Sequence, residues 1–315
     1  MKVFLTGAAG FIGFHTALAL LKKGHEVFGY DAVNNYYDPK YKENRLSLLH
    51  DFDRFTFRKG LLENEDLLSA SYRNFEPSHV LHLAAQAGVR YSLEHPHAYI
   101  QSNVVGFQNI IELVRHSQPE HFVYASSSSV YGGNKEFPFH EKQNVSHPIS
   151  LYAATKLANE LVARTYGHLY GIKNTGLRFF TVYGPHGRPD MALFKFAHRM
   201  LKGEAIEIYN YGNMIRDFTY IDDIVDGVLS ALSHPQMNKV YNLGRGKKEL
   251  LKDMIAMLEK ALGVDAKKEF LPIQPGDVEE TFADTSAARE DLGYKPTVNL
   301  EQGIPQFVRW YQEAH

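Results

Sequence analysis

Cysteine is absent from this chain of 315 residues, which excludes disulfides, thiolate metal ligands and cysteine nucleophiles. An excess of charge of either sign is also lacking, because 34 lysines and arginines stand against 36 acids. No overall field therefore attracts nucleic acid or an anionic membrane surface. No apolar run approaches the roughly 20 residues that a membrane span needs. The composition predicts a protein with no nucleic acid or membrane partner, which binds anions locally.

Two further absences concern export and metal binding. The N-terminus "MKVFLTGAAG" has the pattern of a strand and a turn rather than of an export signal, which predicts a cytoplasmic protein. The 16 histidines show no H-x-x-E-H motif and no pair four residues apart, so the sequence predicts no metal site.

Short apolar runs alternate with amphipathic segments through the first half of the chain. This rhythm predicts strands at 2–6, 26–31, 79–85, 121–127 and 174–180, and helices at 11–24, 98–116 and 151–170, with Gly24 closing the first helix. Repeated strand–helix–strand units imply a parallel sheet that is covered on both faces. The predicted fold class is α/β, with a Rossmann-like doubly wound parallel sheet.

The pattern changes after about residue 180. Glycine, proline and charged residues become more frequent, a shorter strand is predicted at 205–210, and helices are predicted at about 248–262 and 300–313. We therefore expect a first domain over 1–180 and a smaller region over 181–315, some of whose segments return to the sheet. The cleft between the two parts is the expected ligand site.

The segment "TGAAGFIG" places Gly7, Gly10 and Gly13 directly after a strand and at the start of a helix. Glycines in this spacing let backbone N–H groups approach a pyrophosphate at the helix N-terminus, although an ordinary glycine-rich turn is the alternative. Asp31 ends the second strand, where a carboxylate can bind the adenosine ribose diol and repel a 2′-phosphate. Ala32 and Val33 offer no cation for such a phosphate. These residues predict NAD rather than NADP, with a solvated aspartate at the end of a strand as the alternative.

Tyr152 and Lys156 are four residues apart, on one face of a predicted helix. A lysine beside a tyrosine lowers the pKa of the phenol and can hold a cofactor ribose, so the pair can serve as a base. By themselves, two such residues are more often simply exposed. Upstream, however, "YASSSSVYGGN" (124–134) carries four consecutive serines, whose hydroxyls can hydrogen-bond the oxygen that the tyrosine deprotonates.

Several segments resemble a known family. The glycine spacing, the Tyr152/Lys156 pair, "LHLAAQAGVRYSLEHPHAYIQSN" (81–103) and "RDFTYIDDIVDGV" (216–228) resemble the extended short-chain dehydrogenase/reductases that act on nucleotide sugars. Within that family, the UDP-glucuronate 4-epimerases are similar in "GYDAVNNYYDPKYKENRL" (29–46), "LRFFTVYGPHGRPDMAL" (177–193) and "QPGDVEETFADTS" (274–286). The resemblance covers almost the whole chain.

The resemblance implies roles for particular residues. The catalytic residues would be Ser127, Tyr152 and Lys156. Contacts to NAD would come from the tyrosine and the lysine together with Gly7, Gly10, Phe11, Ile12, Gly13, Asp31, Asn35, Ala84 and Asn103. The UDP-sugar would contact Arg90, Ser127, Ser128, Ser129, Thr181, Arg188, Arg216 and Asp277, so that 181–315 is mainly a substrate-binding region. Helices 98–116 and 151–170 could form a four-helix interface in a homodimer.

The position before Val130 bears on the reaction. Related decarboxylases commonly have a glutamate there and dehydratases an Asp-Glu pair, whereas this chain has Ser128 and Ser129, whose neutral hydroxyls can accept a glucuronate carboxylate. The resemblance thus implies reversible C4 epimerisation of UDP-glucuronate to UDP-galacturonate through a 4-keto sugar, with bound NAD. A UDP-glucuronate decarboxylase, a neutral UDP-hexose 4-epimerase and a non-catalytic NAD-binding protein are the alternatives.

Two residues depart from the family pattern. Leu61 occupies a position where relatives usually have an aspartate that contacts adenine, which predicts weaker NAD binding. His186 stands where relatives often have arginine, which removes a possible cation from the substrate side.

Overall fold

The computed structural model describes residues 1–274 and 276–315. The strands are β1 (Lys2–Thr6), β2 (Glu26–Asp31), β3 (Phe55–Lys59), β4 (His79–His82), β5 (His121–Ser127), β6 (Asn174–Phe179), β7 (Thr181–Tyr183), β8 (Ala205–Ile208), β9 (Ile215–Arg216), β10 (Phe218–Tyr220), β11 (Lys239–Leu243), β12 (Glu249–Leu250) and β13 (Lys267–Phe270). The α-helices are α1 (Phe11–Lys22), α2 (Lys40–His50), α3 (Glu65–Phe75), α4 (Tyr91–Glu94), α5 (Pro96–Tyr99), α6 (Gly106–Ser117), α7 (Leu151–Tyr170), α8 (Ala192–Leu201), α9 (Ile221–Ser233), α10 (Leu251–Leu262), α11 (Ser286–Leu292) and α12 (Leu300–Ala314).

Seven strands form one parallel sheet in the order β11-β6-β5-β4-β1-β2-β3. The chain moves outward in one direction from β1 to β3 and in the other from β4 onward, so the order reverses between β1 and β4. Ligands of doubly wound sheets bind at such a reversal, beyond the carboxyl ends of the strands. The predicted α/β doubly wound fold is confirmed. The edge strand β11 comes from beyond residue 180.

Side chains alternate between the two faces of the sheet. On one face, Phe4, Phe122 and Tyr124 form a core with residues of α3, α6 and α7. On the other face, Val3 and Leu5 form a core with residues of α1 and α9, and this core continues into the C-terminal region. Both faces are therefore buried, which is why the strands are nearly uninterrupted apolar runs.

The C-terminal region adds three small two-stranded sheets. In these, β7 pairs with β10 and β8 with β13 in parallel, and β9 pairs with β12 antiparallel. Helices α8, α10 and α12 contribute to the core that is shared with α1. In the described part of the chain, no helix combines the length and apolar character needed to cross a membrane.

Most of the predicted elements are observed, with three differences in detail. The helix predicted at 98–116 is observed as one continuous helical segment over 96–117, in which Ile100–Val105 form a π-helix between α5 and α6. Strand β8 ends before the predicted residue 210 because Asn210 and Tyr211 have positive φ values of 49° and 52°. Strand β4 ends at His82 rather than at 85, where the chain leaves the sheet. Gly24 follows α1 with φ 80°, as predicted for a residue that closes a helix.

A buried ion pair joins β6 to α7. The Arg178 guanidinium donates to both oxygens of Glu160, from Nε to Oε1 at 2.9 Å and from Nη2 to Oε2 at 2.7 Å. The Ser126 hydroxyl, at the end of β5, donates to the same Oε1 at 2.5 Å. Because both charged side chains are buried, removing one partner leaves an uncompensated charge in the core.

We expect Arg178→Met to lower the free energy of unfolding by about 3–5 kcal/mol, since the Glu160 carboxylate then stays buried without its partner. Urea unfolding measures this change. The matched control is Lys239→Met, which breaks the exposed 3.2 Å pair with Asp291 and should cost less than about 1 kcal/mol. Equal losses in the two variants would contradict the assigned importance of the buried pair.

Candidate active site

A cleft of about 1030 Å³ lies at the carboxyl ends of the sheet strands. It extends from the glycine loop, past the serine segment after β5, to the segments around Thr181 and Arg216 in the C-terminal region. Of the predicted site residues, seventeen border this cleft: Gly7, Gly10, Phe11, Ile12, Gly13, Asp31, Ala84, Arg90, Ser127, Ser128, Ser129, Tyr152, Lys156, Thr181, Arg188, Arg216 and Asp277.

The glycine loop is shaped by close backbone approach. A Cβ atom on Gly13 would lie 2.0 Å from the Gly7 carbonyl oxygen, and one on Gly7, whose φ is 77°, would lie 2.7 Å from the Ala84 nitrogen. Side chains are excluded at both positions, so α1 begins directly against the loop. The first residues of α1 and Asp31 border the same cleft, an arrangement that fits the pyrophosphate of a dinucleotide at the helix N-terminus.

Asp31 is held by the backbone around it. Its Oδ2 accepts a hydrogen bond from the Ala9 N–H at 3.0 Å and its Oδ1 accepts one from the Val33 N–H at 2.8 Å. Burial raises the pKa of the Asp31 carboxyl, although these hydrogen bonds and the nearby charges of Lys42 and Arg45 act in the opposite direction.

Ala32 and Val33 offer no cation, as stated above, but Lys42 places one near Asp31. The Lys42 ammonium comes from α2, borders the cleft and donates to the carbonyl oxygen of Asn34 at 2.9 Å. The inward face of α2 consists of positions 42, 45, 46 and 49. That helical spacing is a signal in the sequence which could have identified both buried basic residues of this helix.

Two residues that were predicted to contact NAD do not line the cleft. Asn35 is exposed on the loop after β2. The Asn103 side chain is fully buried, where its oxygen accepts from the Gln86 N–H at 2.8 Å and its amide donates to the Thr155 hydroxyl at 3.0 Å. Asn103 therefore joins the segment after β4 to α7, because its polar atoms are used within the protein.

The four consecutive serines face different partners. Ser126 borders the cleft, but its hydroxyl donates to Glu160 on α7. The Ser127 oxygen accepts from the Ser129 N–H at 3.1 Å, and its hydroxyl donates to the Ser129 hydroxyl at 3.1 Å. Ser128 and Ser129 are half-buried at the edge of the cleft. The run thus supplies one internal anchor and three hydroxyls to the site.

Tyr152 and Lys156 lie one turn apart on α7, whose first turn is capped by Ser150. Burial raises the pKa of the Tyr152 phenol, while the Ser127 hydroxyl and the Arg188 charge act to lower it. Burial also lowers the pKa of the Lys156 ammonium to about 8, although the Glu160 carboxylate opposes this change. Lys156 was expected to lower the pKa of Tyr152, but in the structure the groups that act in this direction are Ser127 and Arg188. Lys156 instead donates to the Ala125 carbonyl at 2.9 Å.

The three arginines on the substrate side are each held by internal acceptors. Arg188 binds Asp190 through two hydrogen bonds, and Arg90 pairs with Asp277 at 2.8 Å. Arg216 donates to backbone carbonyls instead, to that of Ile215 at 2.8 Å and to those of Val278 and Glu279 at 2.7 and 3.1 Å. The guanidinium groups are therefore already oriented in the protein alone.

The two departures from the family pattern have different surroundings. Leu61 borders the cleft with half of its surface exposed, where it offers no hydrogen bond to an adenine. His186 does not line the cleft, because its ring packs against Phe14 at 4.8 Å and Trp310 at 4.9 Å between centroids. Burial lowers the pKa of His186 to about 4, so the ring is neutral. Residues 1–274 and 276–315 contain no group of three or more acidic or histidine side chains that could hold a metal ion.

Comparison with known proteins gives close relatives along the whole chain. The chain is 48% identical to Protein CapI of Staphylococcus aureus, covering 100% of this chain and 99% of that protein. It is 47% identical to UDP-glucuronate 4-epimerase 4 of Arabidopsis thaliana, covering 99% of this chain and 75% of the relative.

Among solved structures, the UDP-glucuronic acid 4-epimerase of Bacillus cereus in complex with UDP-glucuronic acid and NAD matches with a TM-score of 0.95 and 36% identity, covering 100% of both chains. Residues 3–244 match the family model described as the NAD dependent epimerase/dehydratase family. With these matches and the cleft geometry together, the chain belongs to the NAD dependent epimerase/dehydratase family.

Proposed function

We propose that this protein is a UDP-glucuronate 4-epimerase, which interconverts UDP-glucuronate and UDP-galacturonate through a 4-keto sugar with bound NAD. The observation that carries the proposal is one cleft that joins a dinucleotide-binding loop to the Ser127, Tyr152 and Lys156 side chains and to three oriented arginines. The similarity to UDP-glucuronate 4-epimerases over nearly the whole chain supports the same substrate.

In this proposal, the residues at the end of β5 and on α7 handle the proton. Ionised Tyr152 takes the proton of the sugar 4-hydroxyl, and the Ser127 hydroxyl donates to the same oxygen as it becomes a carbonyl. Lys156, as an ammonium, stabilises the phenolate and holds the cofactor ribose. Bound NAD would supply the two-electron acceptor for the C4 hydride, and the same hydride would return to the opposite face of C4 once the keto sugar has turned over in the cleft. Tyr152 then gives the proton back, so the protein ends each cycle unchanged.

The remaining site residues would bind the two ends of the ligands. Asp31 would accept the adenosine ribose hydroxyls, with Gly7, Gly10 and Gly13 around the pyrophosphate. Arg90, Arg188 and Arg216 would bind the UDP diphosphate and the anionic sugar, because a guanidinium donates in a fork that matches phosphate and carboxylate oxygens. Ser128, Ser129 and Thr181 would hydrogen-bond the sugar carboxylate.

The carboxylate contacts favour epimerisation over decarboxylation. The 4-keto sugar is a β-keto acid, which loses CO2 when the breaking bond aligns with the carbonyl. Hydroxyls at 128 and 129 can hold the carboxylate out of that alignment, and no acid precedes Val130 to assist other chemistry.

We assign the enzyme to the cytoplasm, where NAD and UDP-sugars are available, and its product to polysaccharide biosynthesis.

We expect the purified protein to convert UDP-glucuronate to UDP-galacturonate with little UDP-pentose, and to use UDP-glucose much less efficiently because a neutral sugar loses the charge-assisted hydrogen bonds. NMR and mass spectrometry of the products, with parallel assays on both substrates, measure this. UDP-xylose and CO2 as the main products would replace the assignment with the decarboxylase. Equal efficiency on UDP-glucose would favour the neutral epimerase.

Tyr152→Phe should lower kcat by about 100-fold or more, since a positioned acid/base contributes on that scale. Product formation and NAD binding are measured on the same preparation, and NAD binding should be retained. The matched control is Tyr166→Phe, which removes a hydroxyl from the same helix where it contacts Gln108 rather than the cleft. Turnover near that of the control would remove Tyr152 from the mechanism.

The outward surfaces of the helices next to the site support a homodimer. Leu161 and Leu169 on α7 are 59% and 60% exposed, and Ile100 and Val105 of the adjoining π-helix are also exposed. We expect sedimentation velocity to give about twice the 35.8 kDa chain mass, because such side chains are stabilised by burial against a second copy. Leu161→Glu together with Leu169→Glu should shift the mass toward the monomer. A monomeric wild-type protein at micromolar concentration would contradict the proposal.

A further inference from the structure

Three loops of the cleft meet at the hydroxyl of Tyr36. Tyr36 belongs to the loop that follows β2 and Asp31, and its hydroxyl donates to Oδ2 of Asp190 at 3.0 Å. On the other side, a Cβ atom on Gly88, in the loop after β4, would lie 2.7 Å from that hydroxyl oxygen. Gly88 has a φ of 102°, so the backbone there is shaped for a residue without a side chain. The cofactor side of the cleft thus contacts the loop at 184–190 through one hydroxyl.

Asp190 is also the partner of Arg188. Its Oδ1 accepts from Arg188 Nε at 3.0 Å, and its Oδ2 accepts from Arg188 Nη2 at 2.5 Å as well as from Tyr36. Burial alone would raise the pKa of the Asp190 carboxyl, but Arg188 and Tyr36 outweigh it and hold the pKa below its ordinary value. Asp190 is therefore an ionised acceptor for both neighbours.

The Asp190 contacts determine how Arg188 can bind a second anion. Because Asp190 occupies the Nε–Nη2 edge of the guanidinium, a substrate oxygen must approach the edge formed by Nη1 and the remaining N–H of Nη2. Arg188 borders the cleft, and its charge acts on the pKa of Tyr152. The orientation of the Nη1–Nη2 edge therefore determines how an anion can bind near Tyr152, the proposed base.

Arg45 provides an independent connection between the same two sides. Its fully buried guanidinium donates from Nη1 to the Ala9 carbonyl in the glycine loop at 2.9 Å, and from Nη2 to the His186 carbonyl at 2.8 Å. The loop that carries Arg188 is thus fixed to the cofactor side both before and after this residue. Before it, Arg45 also donates to the Gly187 carbonyl at 3.2 Å, and His15 Nε2 lies 2.9 Å from the Pro185 carbonyl oxygen. After it, Tyr36 donates to Asp190.

We propose that Tyr36 and Asp190 are positioning residues, which hold the free edge of Arg188 toward the anionic sugar nucleotide and join its geometry to the cofactor-side loop. The inference rests on the proposed function, since Arg188 binds substrate only if the ligand is anionic. Tyr36 acts through Asp190 and Arg188, so its removal should matter only while Arg188 is present.

The test is a double-mutant cycle in the NAD-loaded enzyme, with kcat and KM for UDP-glucuronate. Tyr36→Phe removes the donor but keeps the ring, and we expect KM to rise about 10-fold with kcat changed less than about threefold, since the lost hydrogen bond is made to a charged group. Arg188→Lys keeps the charge but loses the fork, and should raise KM at least as much. The double variant should resemble Arg188→Lys alone within about twofold.

If the KM of the double variant rises by the product of the two single effects, the inference is overturned, because Tyr36 then acts by a route that does not include Arg188. An unchanged KM in Tyr36→Phe or in Arg188→Lys would also overturn it. Neither result affects the product assay, so failure of the inference and failure of the proposed function remain distinguishable. Tyr241→Phe is the control, because it removes a hydroxyl that also donates to an aspartate, Asp291 at 2.7 Å, but does not border the cleft, and it should leave KM unchanged.

Discussion

The site depends on how α7 is attached to the end of β5. Glu160 on this helix accepts from Ser126 on β5 and from Arg178 on β6, so one buried carboxylate fixes the helix against two adjacent strands. Since Tyr152, Lys156 and Glu160 are spaced by four residues, they lie along one face of α7. The same attachment that buries Glu160 therefore brings Tyr152 beside Ser127, the residue that follows Ser126.

Burial in the same cleft changes the pKa values of Tyr152 and Lys156 in ways that oppose their charged forms. It raises the pKa of the phenol and lowers that of the ammonium, because desolvation penalises both phenolate and ammonium. A phenolate next to an ammonium would relieve both penalties, as each charge then has a partner. Lys156 donates to the Ala125 carbonyl at 2.9 Å, so its ammonium is held one helical turn from the Tyr152 phenol.

Local patterns predicted five of the seven sheet strands, the glycine loop and the positions on α7, because apolar runs and helical spacing are visible within short stretches. Strands β3 and β11 were not predicted. The π-helical turn at Ile100–Val105 and the early end of β8 were not predicted, since they depend on backbone geometry that no residue type demands. The roles of Asn103 and Lys42 also required the fold. Asn103 meets Gln86 and Thr155 across contacts that no local pattern encodes. The spacing on α2 indicates that Lys42 faces inward, but only the fold shows that it meets the loop after Asp31. The Tyr36–Asp190 contact spans 154 residues of sequence.

The arginines differ in how much charge they offer to a ligand. Arg90 and Arg188 each pair with a carboxylate, so their charges are largely compensated within the protein. Their main contribution to ligand binding is therefore the fixed orientation of their N–H donors. Arg216 donates only to neutral backbone carbonyls among its hydrogen bonds in the described residues, and burial lowers the pKa of its guanidinium. Arg216 is half-buried, the Asp277 carboxylate acts on it only from nearby, and a nearby anion favours the charged form of such a group. Of the three, Arg216 therefore gains most from a diphosphate, and the near-zero net charge of the chain is compatible with strong local attraction of an anionic substrate.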